Sequence, residues 1–161
     1  MKRWIWLTLL ATSAWAQSQG IQLYKEGKYG DAARVLSSEL EGNPDSEEIL
    51  TYVGLARVRS GDTGGAKEPL EKALAKNPDN AEAHFGLGLV YTKQNNREGA
   101  IRELEKATKL APGHAYAHYY LGMAYRDSDK RDLMIPHLKR FIELAPDAPE
   151  AAAVRSFLSK L

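Results

Sequence analysis

Apolar residues in this chain recur on a helical beat, and that beat itself recurs. Between residues 97 and 110, Ala100, Ile101, Leu104, Ala107 and Thr108 fall at i, i+1, i+4, i+7 and i+8, the stripe of a helix with one buried face. Ala66, Leu70, Ala73 and Leu74 form the same stripe earlier in the chain, and Ile135, Leu138, Phe141 and Ile142 form it later. The step between them is 34 residues, and it also separates Gly54, Gly88 and Gly122; Val53, Leu87 and Leu121; Leu50, His84 and His118; and Pro78, Pro112 and Pro146. Units of this length cannot bury their own apolar faces, so the period predicts a solenoid of stacked helix pairs. In the middle unit the expected first helix runs from Ala81 to Lys93 and the second from Arg97 to Leu110. Gln94-Asn95-Asn96 makes the turn between them, and Pro112-Gly113 stops the unit. Solenoids are usually surfaces on which other molecules dock, which moves the expectation from catalysis towards binding.

The repeated glycines need a packing reason, because a glycine inside an exposed helix costs about 1 kcal/mol. Gly88 and Ala100 are expected to face each other where the two helices cross, letting the backbones approach more closely than the usual separation of about 8–10 Å. Gly54, Ala66, Pro78, Gly88, Ala100, Pro112, Gly122 and Pro146 are therefore the expected repeat-packing positions. These residues carry a family likeness. The pattern resembles the tetratricopeptide repeat (TPR), with His84 where that family most often has Trp, followed in register by Leu87-Gly88, Tyr91, Ala100, Leu104, Ala107 and Pro112. The resemblance implies an all-α TPR-type solenoid, a right-handed superhelix of antiparallel helix pairs with a C-terminal capping helix. Three full units are expected at 47–80, 81–114 and 115–148, preceded by a partial unit at 17–46 that carries Gly20, Tyr24, Ala32, Leu36 and Pro44 and starts near Ser18. Residues 149–161 would form the cap, laying Ala152, Val154, Phe157, Leu158 and Leu161 on the last repeat. Some positions depart from the pattern. Arg57 stands where Tyr91 and Tyr125 stand, and Met134 and Phe141 replace Ala100 and Ala107, so the last pair should pack more widely. Pro69 and Pro136 fall early in second helices, where the first turn tolerates proline.

The first sixteen residues follow another logic. Met1-Lys2-Arg3 is a basic start, residues 4–11 are an apolar run, and Ala14-Trp15-Ala16 places small residues around one large one. That order reads as a secretory signal peptide at 1–16, cleaved before Gln17. The run is shorter than the roughly 20 apolar residues of a spanning helix, so no stable membrane anchor is expected after cleavage. An exported protein, periplasmic or secreted by a bacterium, is the expectation.

Charge and cysteine content narrow the partners. The 161 residues carry 22 Lys and Arg against 21 Asp and Glu. Removing Lys2 and Arg3 with a leader that has no acidic residue leaves 20 basic residues against 21 acidic ones, a net charge near −1. Nucleic acid is not expected as a partner, since phosphate binding needs a clustered basic surface. With no cysteine, the chain has neither a disulfide framework nor a lipid-bearing N-terminal cysteine, and helix packing alone must hold the fold.

Several motifs invite a catalytic or metal reading and do not sustain it. His114 and His118 are spaced i, i+4, but His114 lies in the inter-unit loop, His118 holds a packing position and no third ligand is obvious. Gly61-Asp62-Thr63-Gly64-Gly65-Ala66-Lys67 lacks the Gly-Lys-Ser/Thr of a phosphate loop and reads as a helix–helix turn. His84 and His137 have no nucleophile elbow to serve. No catalysis, metal or cofactor is expected.

In proteins of the resembled family the first helices line a concave groove that holds an extended peptide or a partner's helix. Once the packing residues are set aside, a second stripe remains on these helices: Thr51, Tyr52, Leu55 and Arg59; then Phe85, Leu89 and Lys93; then Tyr116, Tyr119, Tyr120, Met123 and Arg126. Tyr24 and Lys25 extend it from the partial unit. Aromatic residues with a cationic fringe suit a protein partner that offers a peptide or an amphipathic helix. The places where carboxylate-gripping TPR domains carry Lys, Asn and Arg hold Thr51, Leu55, Gly86, Tyr116 and Tyr120, which argues against that subclass. The other roles weighed are a structural one, with repeat ends stacking in self-association, and an enzyme or metal protein working through His114 and His118.

Overall fold

The computed structural model describes residues 18–161, and among them it contains helices α1 to α9 and no strand. The leader at 1–16 lies outside the described residues. The elements are α1 Gln19–Lys25, α2 Tyr29–Gly42, α3 Glu47–Ser60, α4 Thr63–Lys76, α5 Ala81–Lys93, α6 Arg97–Leu110, α7 Ala115–Arg126, α8 Arg131–Leu144 and α9 Ala151–Leu158. The all-α TPR solenoid is the observed fold: α1 packs on α2, α3 on α4, α5 on α6 and α7 on α8, and each pair packs on the next. No helix among the described residues is long and apolar enough to cross a membrane.

Turn and cap chemistry keep the same beat as the core. Ser46, Asn80 and His114, one per unit, accept the backbone N–H three residues on at 3.2, 2.8 and 3.1 Å, closing the N-termini of α3, α5 and α7. Asp62 and Asn96 do the same for α4 and α6. Lys130 stands at the corresponding place before α8 and provides no side-chain cap. The turn inside each pair passes through one left-handed residue: Gly27, Gly61, Asn95 and Asp129, with φ of 78°, 100°, 56° and 55°. These are residue types that adopt that conformation at the least steric cost.

The glycines do mark the close approach of the two helices, but what they approach is a leucine. A Cβ added to Gly88 would lie 2.6 Å from Leu104 Cγ, and one added to Gly122 would lie 2.6 Å from Leu138 Cδ2. Gly54 meets Leu70 and Gly20 meets Leu36 in the same way. The expected Gly88–Ala100 facing is therefore shifted by one turn of the second helix. The alanine position offers its backbone instead, as the Ala66 carbonyl does 3.0 Å from a Cβ on Gly54. The leucine side chain fills the slot that the missing Cβ leaves.

Other expectations shift with similar causes. Pro69 is the seventh residue of α4 and Pro136 the sixth of α8, so both lie beyond the first turn. A proline there cannot bond the carbonyl four residues back. For Pro69 that carbonyl belongs to Gly65, and Arg57 Nη1 donates to it at 2.8 Å. This contact gives Arg57 its reason for replacing tyrosine. Met134 and Phe141 are fully buried, so the larger residues of the last pair are core. In α9, Ala151 and Val154 are the buried residues and Phe157 and Leu158 are half-buried, whereas Ala152 turns outward, and Leu161 beyond the helix is exposed. The carbonyls of the inter-unit prolines are also taken: Pro78 by His84 Nε2 at 3.0 Å, Pro112 by His118 Nε2 at 3.2 Å, and Pro146 by Arg155 Nη2 at 2.6 Å.

Candidate functional site

The first helices α1, α3, α5 and α7 carry two groups of aromatic contacts, one around Tyr24 and one around Tyr119, with Arg59 between them. Tyr24 on α1 lies edge-on to Tyr52 on α3, with ring centroids 5.2 Å apart, and 5.3 Å from Tyr29 at the start of α2. Phe85 on α5 meets the His114 ring, tilted, at 4.4 Å and reaches Tyr120 on α7 at 6.0 Å. Tyr119 continues the run at 5.3 Å from Tyr120 and 5.0 Å from Phe141, and Tyr116 meets Tyr119 and donates its hydroxyl to Glu150 at 3.2 Å. Such edge and offset contacts are the arrangements aromatic rings prefer.

Eleven of the residues expected in the groove divide into two sets. Tyr52, Arg59, Tyr116, Tyr119, Tyr120 and Met123 are half-buried, and Lys93 and Arg126 are exposed, so these eight can meet a partner. Leu55, Phe85 and Leu89 are 0 %, 2 % and 5 % exposed and belong to the core, which removes them from any contact surface. The reason is the stacking of first helices on one another. A Cβ on Gly86 would lie 3.2 Å from Leu55 Cδ2, so Leu55 is wedged between α3 and α5, and Phe85 on α5 packs towards Tyr120 on α7. Thr51 is also buried, donating to the Glu47 carbonyl at 2.8 Å and accepting from Asn80 Nδ2 at 2.8 Å.

Arg59 has an unusual place. Its guanidinium lies 5.3 Å from the Tyr29 ring centroid and 6.0 Å from that of Tyr116, bridging the start of α2 and α7. The expected cationic fringe is thus partly spent inside the molecule, and Arg126 is tied to Asp127 at 3.0 Å.

The carboxylates on this face were not singled out from the sequence. Glu47, Glu48 and Glu82 line a cleft of about 380 Å³ with Thr51, Tyr52 and Asn80. Burial pushes the Tyr52 phenol above its ordinary pKa, and the Glu82 and Glu48 carboxylates push it further. Tyr116 and Tyr119 are raised likewise, by burial and then by Glu150. A signal existed: Glu48 stands one helical turn before Tyr52, and therefore on the same side of α3.

His114 and His118 do not converge on a shared point. His114 caps α7 through Nδ1 and turns Nε2 to Glu82 at 3.2 Å. His118 spends Nε2 on the Pro112 carbonyl and Nδ1 on His137 Nδ1 at 2.9 Å. Among the described residues no group of three or more His, Asp and Glu is placed to hold a metal ion.

The repeat geometry has relatives. Residues 57–124 and 116–148 match two sequence profiles of the tetratricopeptide repeat, together spanning more than half of the chain. No curated protein matches the sequence. Similar solved structures include TTC0263, a thermophilic TPR protein of Thermus thermophilus, at 25 % identity and a TM-score of 0.72 over 88 % of this chain and 79 % of that one. MamA of Desulfovibrio magneticus RS-1 is similar at 26 % identity and a TM-score of 0.65, over 81 % of this chain and 73 % of that one. YrrB, a TPR protein described as having an unusual peptide-binding site, shares the fold at 22 % identity and a TM-score of 0.66, over 85 % and 71 % of the two chains. With its unit period, its glycine–leucine slots and both profile matches in agreement, the chain belongs to the tetratricopeptide repeat family.

Proposed function

We propose that this protein is a non-catalytic adaptor that holds a protein partner's extended peptide or amphipathic helix against the face of its first helices. The observation that carries this reading is the run of Tyr116, Tyr119 and Tyr120 in mutual contact on α7 and half-buried, with Met123 on α7 and Tyr52 on α3 half-buried as well. Rings already half-packed lose little side-chain freedom on docking, which is why tyrosine is favoured at contact surfaces. The basic, apolar and small-residue order of residues 1–16 supports export, so the proposed place of action is the cell envelope or the outside of the cell.

A photo-crosslinking amino acid placed at Tyr119, with a second at the exposed Lys139 on α8 as control, tests this in the native host. The expected result is a partner crosslinked from position 119 only, lost on Tyr120→Asp with helicity retained, on a bait whose mature N-terminus is Gln17. Crosslinks solely between copies of the bait would replace the adaptor by a self-assembling module. A bait that keeps residues 1–16 would replace the soluble exported form by an anchored one.

A further inference from the structure

We infer that the segment received on this face carries arginine or lysine at the end that meets the N-termini of α3 and α5. The inference rests on the adaptor reading and adds the chemistry of what docks. The chain supplies its own template. Arg59 sets a guanidinium between Tyr29 and Tyr116, so this tyrosine wall already accepts a cation, as the negative faces of aromatic rings do. Among the described residues, Tyr52, Tyr119 and Tyr120 have no such cation of the chain's own.

The charge left over beside Tyr52 is negative. Glu48 and Glu82 are exposed, and both lie close enough to Tyr52 to disfavour its ionisation. Glu48 forms no ion pair among the described residues, and Glu82 meets only the His114 ring. Glu150 accepts from the Tyr116 phenol, which leaves its negative charge uncancelled. The cations that would neutralise this edge are engaged elsewhere, Arg59 on the rings and Arg126 on Asp127. A purely apolar occupant would strip water from Glu48 and Glu82 without giving them a partner, and an acidic one would be repelled. A guanidinium or ammonium entering the cleft of about 380 Å³ meets Glu48 and Glu82 beside the Tyr52 ring.

The test uses the full mature chain and three synthetic amphipathic helical peptides that share one leucine–alanine stripe. Their polar face carries Arg, Gln or Glu, and binding is read by fluorescence anisotropy at fixed ionic strength. The Arg peptide should bind at least tenfold more tightly than the Gln peptide, with the Glu peptide weakest. Glu48→Lys with Glu82→Lys should invert that order, and both residues are exposed, so the fold persists and circular dichroism verifies it. Glu41→Lys with Glu98→Lys applies the same change in net charge on the second helices and should leave the order intact. Equal binding of the three peptides, or indifference to the Glu48/Glu82 reversal, overturns the inference. If the Gln or Glu peptide binds best and Tyr120→Asp abolishes it, the docking face stands and its cationic occupant alone falls. Failure of all three peptides to bind overturns the cationic inference too, while the adaptor reading is decided by the crosslink at Tyr119.

Discussion

Units 81–114 and 115–148 share a backbone, a capped first helix, a left-handed turn residue and a glycine–leucine slot, yet they close the gap between their two helices with opposite acid–base chemistry. In the first, His84 on α5 turns Nδ1 to Glu103 on α6 at 2.8 Å and Nε2 to the Pro78 carbonyl, so each ring nitrogen faces an acceptor. In the second, His118 on α7 makes the same bond to Pro112, but its Nδ1 meets His137 Nδ1 at 2.9 Å, on rings stacked at 5.1 Å. Only one proton fits between those two nitrogens. His137 occupies the place of Glu103, one repeat on. A repeat thus tolerates exchange of a buried polar partner as long as the imidazole stays bonded, and the cost appears in how each unit answers acid.

The largest effects should be common to both units. Leu104→Ala and Leu138→Ala each empty the slot against a glycine that has no side chain to collapse into it. Each should cost about 2–5 kcal/mol, measured by urea denaturation. A cost falling in one unit only would break the equivalence on which the comparison stands. Next come the polar partners. Glu103→Ala takes the acceptor from His84 and also removes contacts to Arg102 at 3.1 Å and Lys106 at 3.5 Å, for about 1–3 kcal/mol. His137→Ala removes one neutral hydrogen bond and a stacked ring, for about 1 kcal/mol. The reverse order would mean that the histidine pair holds the third unit together more than its geometry implies.

How far these contacts could be read beforehand depends on the kind of information each needs. The helices of the middle unit fall at Ala81–Lys93 and Arg97–Leu110, as their apolar beat and flanking turn residues require, because local periodicity fixes a helix without knowledge of its neighbours. The Gly88–Leu104 contact depends on how one helix slides along the other, and a period of 34 does not encode that offset. Leu55, Phe85 and Leu89 belonged to a stripe with two possible fates, partner contact or the neighbouring first helix, and only the stacking between units decides it. Arg57 needed a still longer step, since its role exists because Pro69 frees the Gly65 carbonyl eight residues along. On the first-helix face the carboxylates Glu47, Glu48 and Glu82 were visible as first-turn residues. The proximity of Glu150 to Tyr116 comes from α9 packing on α8, which brings the residue ahead of it to α7.

The pH response separates the units without a substitution. Burial lowers the pKa of His118 from its ordinary value of 6.5, Arg140 and His114 lower it further, and the bond to the Pro112 carbonyl opposes them. Burial and the neighbouring His118 lower His137, while Glu105, which accepts from the Tyr125 hydroxyl, pulls it back up. For a histidine with a depressed folded pKa the unfolded chain binds more protons. The stability is therefore complete above about 6.5 and is lost as pH falls below it. Glu103 is also depressed: burial raises it, but the bonds from His84 and Arg102 and the charge of Lys106 outweigh burial. Its contribution is present above about 4.5 and is lost only as pH falls further, through its folded value. Melting followed between pH 7.5 and 5.5 should therefore show a falling Tm that comes from the third unit. Amide exchange should rise in α7 and α8 before it rises in α5 and α6. A Tm that stays level to pH 5.5 would sever the link between the histidine pair and acid sensitivity.

The smallest expected effect is the most discriminating. His137→Gln leaves an amide N–H to donate to His118 Nδ1, removes one titrating ring and, unlike glutamate, sets no second carboxylate against Glu105. At pH 7.5 its stability should lie within about 0.5 kcal/mol of the parent. The change should appear in the slope, because the pair now has one depressed histidine in place of two, so the loss between pH 7.5 and 5.5 shrinks. His84→Gln is the control, since the pH 7.5 to 5.5 slope is assigned to the third unit and should survive a change in the second. If both variants flatten the slope equally, acid acts through something the units share, and the difference between His118–His137 and His84–Glu103 is one of packing alone.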